Sequence, residues 1–202
     1  MDLFSDIYRT IKEPVEGLFK DRGSRFIARA FPVRREDEVK EILSKLRREY
    51  HDARHHCYAY ILGPSKSAYR INDDGEPSGT AGKPIHGQLL SRDLTDIIVV
   101  VIRYFGGVKL GIPGLINAYR EATKDALDKA VIVEKLVTDK LIIEYDYPLM
   151  DVVMRFLKEK NIEIINTKFE LNCKVEIAVR RSETEQVTNS LGAVHGVVVT
   201  PA

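Results

Sequence analysis

Two rhythms of apolar residues run along the chain, and each switch between them marks an element. Val39, Ile42, Leu43, Leu46 and Tyr50 recur at helical spacing, which predicts one amphipathic helix over residues 36–50. Glu36, Asp37 and Glu38 open it and Arg47 and Arg48 close it, the charge order a helix dipole favours. Residues 13–20 and 25–33 read as strands, with the hairpin turn residues Asp21-Arg22-Gly23-Ser24 between them. Short strands are expected at 57–62 and 68–71, around Gly63-Pro64-Ser65. Residues 97–104 are the most apolar run, short and β-branched, and predict a central strand. A helix is expected to begin within 80–84 and run to about residue 91, with Ile85, Leu89 and Leu90 inward. Another should open at Pro113 as its first helical residue and reach about residue 130, burying Leu115, Tyr119, Ala122, Ala126 and Leu127. Ahead of all these, Phe4, Ile7 and Ile11 suit a short docked helix.

The texture changes near residues 135–139, which places a boundary between a domain of residues 1–135 and one of residues 136–202. The second part reads as strand 141–145, helix 148–160, strands 162–169 and 174–180, a helix ending at Gly192, and strand 194–200. Val152, Val153, Phe156 and Leu157 mark the inward face of its first helix; Ser182 and Glu185 match a capping box for its second. The order βαββαβ is the ferredoxin-like arrangement, and the chain as a whole is expected to be α+β.

Two stretches fit neither rhythm. The first is Asn72-Asp73-Asp74-Gly75-Glu76-Pro77-Ser78-Gly79-Thr80-Ala81-Gly82-Lys83-Pro84, where Gly75, Gly79 and Gly82 with two prolines exclude a strand or a long helix. It is either a demanding turn or a functional loop. The second is Arg103-Tyr104-Phe105-Gly106-Gly107-Val108-Lys109-Leu110-Gly111, whose glycines Gly106, Gly107 and Gly111 lead into a helix N-terminus. Such a turn can cradle a phosphate on exposed amides, although neither GxxxxGK[ST] nor GxGxxG is present. Arg103 and Lys109 add charge, and Tyr104 and Phe105 add faces on which bases could stack. The competing reading has both aromatics in the core and the glycines serving close packing.

Composition narrows the partners. With 202 residues, a net charge of +1, 44% hydrophobic and 30% charged residues, the chain is an ordinary globular mix with room for one or two cored domains. Any basic surface must therefore be local, and the excess lies in the first domain, at 23 Lys/Arg to 20 Asp/Glu against 8 to 10 in the second. Cys57 and Cys173 make neither a disulfide framework nor a metal cluster. No export signal core or membrane-length apolar run is evident, so a cytoplasmic protein with no membrane partner is expected. No cofactor motif is present and no cofactor is expected.

Acid residues raise a catalytic possibility. Asp73, Asp74 and Glu76 beside His55 and His56 could hold a divalent ion or polarise a water. Yet adjacent strand residues face opposite ways, and no HExxH-like spacing occurs, so Asp73 and Asp74 are expected to shape the turn and Glu76 to bond loop amides, and no metal site is expected. Cys57 opens an apolar strand and reads as a small buried hydrophobe, not a nucleophile. Ser78 and Thr80 lack any nucleophile motif and suit helix capping.

The sequence resembles the IMPACT/YigZ family. The resemblance is carried by Asp52-Ala53-Arg54-His55-His56-Cys57-Tyr58-Ala59-Tyr60, by residues 73–84, by residues 101–111 and by Ala118-Tyr119. It covers essentially the whole chain, since bacterial members also carry a ferredoxin-like C-terminal domain. It implies an N-terminal domain of the ribosomal-protein-S5 domain 2-like fold and a C-terminal one like a domain of translational elongation factors. Eukaryotic members regulate translation by competing for a partner of a starvation-sensing kinase, a system absent from bacteria. The expected function is thus a non-catalytic protein that binds RNA or the ribosome and modulates translation. Its expected contacts are Arg54, Lys83, Arg103, Tyr104, Phe105 and Lys109. Two alternatives stand beside it: a metal-assisted hydrolase or phosphoryl-transfer enzyme built on Asp73, Asp74, Glu76 and His55, and a protein–protein adaptor.

Overall fold

The computed structural model, which describes residues 6–202, divides by its tertiary contacts into two units. One consists of Tyr8–Lys135; the other takes Leu136–Ala202 together with residues 6 and 7. Both mix helices with antiparallel sheets, the α+β class.

β1 (Ile7–Ile11), which lies in the larger unit from Tyr8 on, is a strand where the apolar spacing suggested a helix. Phe4 lies outside the described residues. Ile11 is buried, Thr10 donates a hydrogen bond to the Asp96 carbonyl at 3.0 Å, and the Arg9 carbonyl accepts from the Thr95 amide at 2.9 Å. Those distant partners, invisible to local periodicity, decide the conformation. A hairpin follows, β2 (Val15–Asp21) and β3 (Ser24–Pro32). Its two-residue turn, Arg22-Gly23, has φ of 44° and 77°, and positive φ at both positions matches the twist of a hairpin.

Next come α1 (Glu36–Glu49), β4 (His55–Leu62), β5 (Ala68–Asn72), α2 (Gly82–Ser91), β6 (Ile97–Tyr104), α3 (Gly111–Asp128) and β7 (Ile132–Leu136). β7 pairs with β1, and nothing in its mixed sequence announced it. The main sheet has the order β2-β3-β6-β4-β5, so the apolar run 97–104 does occupy the centre. Its alternation sorts the two cores. Ile97, Val99 and Val101 pack with Ile85, Leu89, Leu115 and Tyr119 of α2 and α3, while Ile98, Val100 and Ile102 pack with Val39 and Leu46 of α1. This period of two, with helices on both faces, is why the run carries no polar position until Arg103.

The smaller unit contains β8 (Thr138–Tyr145), α4 (Met150–Glu159), β9 (Glu163–Phe169), β10 (Cys173–Arg180), α5 (Thr184–Gly192) and β11 (Val198–Pro201). The sheet order β11-β8-β10-β9 is antiparallel throughout and places β10 between the two strands that α4 connects, the split βαβ unit expected. Cys173, Val175, Ile177 and Val179 are buried on one side of β10 beneath Val153, Leu157, Val187 and Leu191. The capping box does not form: a short 3-10 turn, Arg181–Glu183, precedes α5, and no side chain caps it. Among the described residues no helix is long and apolar enough to cross a membrane.

Candidate functional site

At one end of the main sheet, β4 and β6 place His55 directly opposite Arg103. Cross-strand partners share a face, so both side chains project toward the loop that joins β5 to α2. That loop is held by its acids, each in its own way. Asp73 accepts hydrogen bonds from the amides of Gly79 at 2.8 Å, Ala81 at 3.0 Å and Gly82 at 2.8 Å. It therefore caps α2 from eight to nine residues upstream. Thr80 instead donates to the Pro77 carbonyl at 2.7 Å, and the capping expected of Ser78 and Thr80 is absent from α2. Asp74 accepts from the His56 amide at 2.7 Å and from Arg47 at 3.1 Å, tying the loop to the end of α1.

Glu76 turns the other way. Its Oε1 accepts from Arg103 Nη1 at 2.5 Å and from the Tyr119 hydroxyl at 2.8 Å. The Arg103 and Glu76 side chains are 8% and 4% exposed, so this is a buried ion pair. Cys57 Sγ donates onward, with Tyr119 Oη at 3.3 Å and the Asp73 carbonyl at 3.0 Å. Burial pushes both the Cys57 thiol and the Tyr119 phenol well above their ordinary ranges, so both stay protonated. Cys57 is thus a packed thiol in a hydrogen-bonded chain, without thiolate character.

The three carboxylates consequently do not converge. One caps a helix, one anchors α1, and one pairs with Arg103. Among the described residues no group of three or more His, Cys, Asp or Glu side chains could hold a metal ion. His55 and His56 point to opposite faces, as strand alternation requires. His55 Nδ1 lies 2.8 Å from the Asp74 carbonyl, which fixes the proton on that nitrogen and leaves Nε2, 4.0 Å from Glu76 Oε1, toward the open side. Burial pushes the His56 imidazole below its ordinary value despite the nearby Asp74 carboxylate.

Above the Arg103–Glu76 pair opens a cleft of about 460 Å³. Arg54, His55, Glu76, Arg103 and Lys109 form its polar wall; Phe105, Leu110, Ile112 and Leu115 form its apolar one. Arg54, Phe105 and Lys109 are exposed. Four of the six expected contacts, Arg54, Arg103, Phe105 and Lys109, therefore line one cavity. Lys83 and Tyr104 do not. Lys83 is exposed on the first turn of α2, beside Gly79. Tyr104 leaves β6 on the opposite face from Arg103, where its hydroxyl donates to Asp52 at 2.8 Å and the Arg25 guanidinium lies 4.5 Å from its ring centroid.

Close packing claims some of the glycines. A Cβ on Gly106 would sit 1.9 Å from the Gly23 carbonyl carbon, where the second loop crosses the β2–β3 turn, and one on Gly82 would meet the Asn72 amide nitrogen at 2.9 Å. Gly75, Gly79, Gly107 and Gly111 adopt positive φ. Leu110 and Ile112 were not anticipated as site residues. The signal available was an apolar pair set immediately around Gly111, just where the helix begins.

Fold and site together define a two-unit α+β protein with a cationic and aromatic cleft at the start of a long helix. The sequence matches the Impact N-terminal domain over residues 22–127. A Bacillus subtilis (strain 168) protein, IMPACT family member YvyE, is 36% identical over 177 residues, spanning 88% of this chain and 82% of that protein. IMPACT family member YigZ of Escherichia coli (strain K12) is 29% identical over 180 residues, 88% of each chain. A crystal structure of a hypothetical protein superposes with a TM-score of 0.76 at 26% identity, covering 98% of both chains. The chain belongs to the IMPACT family.

Proposed function

We propose that this protein binds RNA, free or within the ribosome, through the cleft above Arg103 and so modulates translation. The observation that carries the reading is the cleft's lining: exposed Arg54 and Lys109 beside exposed Phe105, on loops fixed to a rigid sheet. Cations that track phosphates, combined with an aromatic face, are the common means of holding single-stranded nucleic acid. Membership of a family whose eukaryotic branch regulates translation supports translation as the process affected, by analogy.

Salt dependence tests it. With single-stranded RNA, the double variant Arg54→Ala/Lys109→Ala is expected to bind more weakly, and the slope of log affinity against log salt should flatten by about 1.4, two contacts at about 0.7 each. An unchanged affinity and slope would remove the cleft as the binding surface. A protein adaptor is the second reading, favoured by the exposed apolar side chains of Phe105, Val108, Ile112 and Ile116 near the same loop. Capture of one defined protein from nuclease-treated extract, lost on Ile112→Asp, would select it.

A further inference from the structure

We propose that the cleft takes a single nucleotide bearing a phosphate monoester, with the phosphate at the N-terminus of α3 and the base against Phe105. This deepens, and rests on, the reading that the cleft binds RNA; it adds what unit of RNA enters and which chemical group anchors it.

Three features meet there. The first is the start of α3, whose 18 residues give a full helix dipole. No side chain caps it, Leu110 stands at the N-cap, Pro113 brings no N–H, and Gly111 and Ile112, whose amides have no helical acceptor, line the cleft. By contrast the amides that open α2 are already taken by Asp73. The second is Arg103. It is only 7% exposed and forms part of the cleft wall, its Nη1 is bound to Glu76, and its Nε has no hydrogen-bond partner. That guanidinium, paired on one side with Glu76, sets positive charge in the cleft wall beside the uncapped start of the helix. The third is charge. Arg54, Arg103 and Lys109 set three cations against the one carboxylate of Glu76, an excess of two. A phosphate monoester carries about −1.5 to −2 at neutral pH, whereas an internal phosphodiester carries one charge, so the monoester is the closer complement.

Size and lining fit the rest of the ligand. A volume of about 460 Å³ suits one nucleotide and excludes a duplex. Phe105, with the Arg103 guanidinium 5.7 Å from its ring centroid, offers an exposed face for a base, and Leu110, Ile112 and Leu115 supply an apolar floor. The ligand could be a free nucleoside monophosphate or the phosphorylated end of an RNA strand, two sources with one chemistry.

Titration of the whole protein with five probes separates the outcomes: adenosine 5′-monophosphate, adenosine, inorganic phosphate, and one single-stranded RNA with either a 5′-phosphate or a 5′-hydroxyl end. The monophosphate is expected to bind at least about tenfold more tightly than adenosine or phosphate alone, and the phosphorylated RNA more tightly than its hydroxyl twin. Lys109→Ala with Arg54→Ala, and separately Phe105→Ala, should each cost about tenfold, with unchanged melting temperature, since all three side chains are exposed. Equal binding of monophosphate and adenosine, or affinity indifferent to these substitutions, overturns the proposal. If RNA binds through Arg54 and Lys109 with no preference for its phosphorylated end, and the monophosphate does not bind, this inference fails and the RNA-binding function stands. If the monophosphate binds and RNA of either kind does not, the function reading fails and the free nucleotide is the ligand.

Discussion

Arg103 and Glu76, 27 residues apart in sequence, meet at 2.5 Å in a site that almost excludes water. Their pairing holds the acidic loop onto β6 and lines the polar wall of the cleft. Removing one partner strands the other's charge in a buried site, which costs about 3–5 kcal/mol. Glu76→Ala is therefore expected to lower unfolding free energy by about that amount in urea titration. Replacing both residues by methionine should cost less than the two single changes combined, because neither charge is then left alone. Additive effects would show that the pair does not interact.

Asp73 is expected to matter for a different reason, since its carboxylate satisfies three amides and no cation. Asp73→Ala should destabilise by about 2 kcal/mol, the upper range for loss of a helix cap, and Asp73→Asn by less. Hydrogen exchange locates the effect: the amides of Gly79, Ala81 and Gly82 should lose protection while those of β6 keep theirs.

These two residues also show where sequence reading reached and where it stopped. The run 97–104 was legible as a central strand because burial on both faces leaves no polar position. The βαββαβ order was legible because each element has its own local period. Asp73 and Asp74 are legible as turn-shaping acids, but the loop amides expected on Glu76 go to Asp73, and Glu76 pairs with Arg103 and Tyr119, because those partners come within reach only after the loop closes. The strand Ile7–Ile11 was missed for the same reason: its partner in the ribbon lies some 125 residues later. Separating Tyr104 from Phe105 and Arg103 was possible in principle, since consecutive strand residues face opposite ways.

That separation has a measurable consequence. Phe105→Ala is expected to weaken single-stranded RNA binding by about tenfold, whereas Tyr104→Leu should leave it unchanged, because Tyr104 is engaged with Asp52 and Arg25 on the far face. Equal losses, read by fluorescence anisotropy with labelled RNA, would mean that the RNA wraps both sides of the sheet end.

Acid should destabilise the protein well before carboxylates titrate. Burial holds the imidazoles of His56 and His86 below their ordinary value of 6.5, for His56 against the opposing pull of Asp74 and with Arg47 and His55 adding to it. Between the folded and unfolded values the unfolded chain binds more protons, so stability is complete above about pH 7 and falls as pH drops through 6.5. Asp37, Asp52 and Asp125, all held below the usual carboxylate value, add to the loss only at still lower pH. Urea midpoints at pH 7.5 and 5.5 should therefore differ, and His56→Gln with His86→Gln should narrow the gap. A gap unchanged by both substitutions would assign the acid sensitivity elsewhere.

Two glycines test opposite signs of one substitution. Gly87 lies within α2, is exposed, and a Cβ there would meet nothing within 4 Å. Gly87→Ala is expected to stabilise by about 0.5–1 kcal/mol, through reduced freedom of the unfolded chain. At Gly106 the same methyl group would lie 1.9 Å from the Gly23 carbonyl carbon and 2.1 Å from the Ser24 nitrogen, both backbone atoms that cannot swing aside. Gly106→Ala should therefore destabilise by about 2 kcal/mol or more, by prising the second loop off the hairpin. Because that loop carries Phe105 and Lys109 into the cleft, RNA affinity should fall as well, even at temperatures where the variant remains folded. A Gly106→Ala protein with wild-type stability and affinity would show that the crossing of loop and hairpin does not position the cleft.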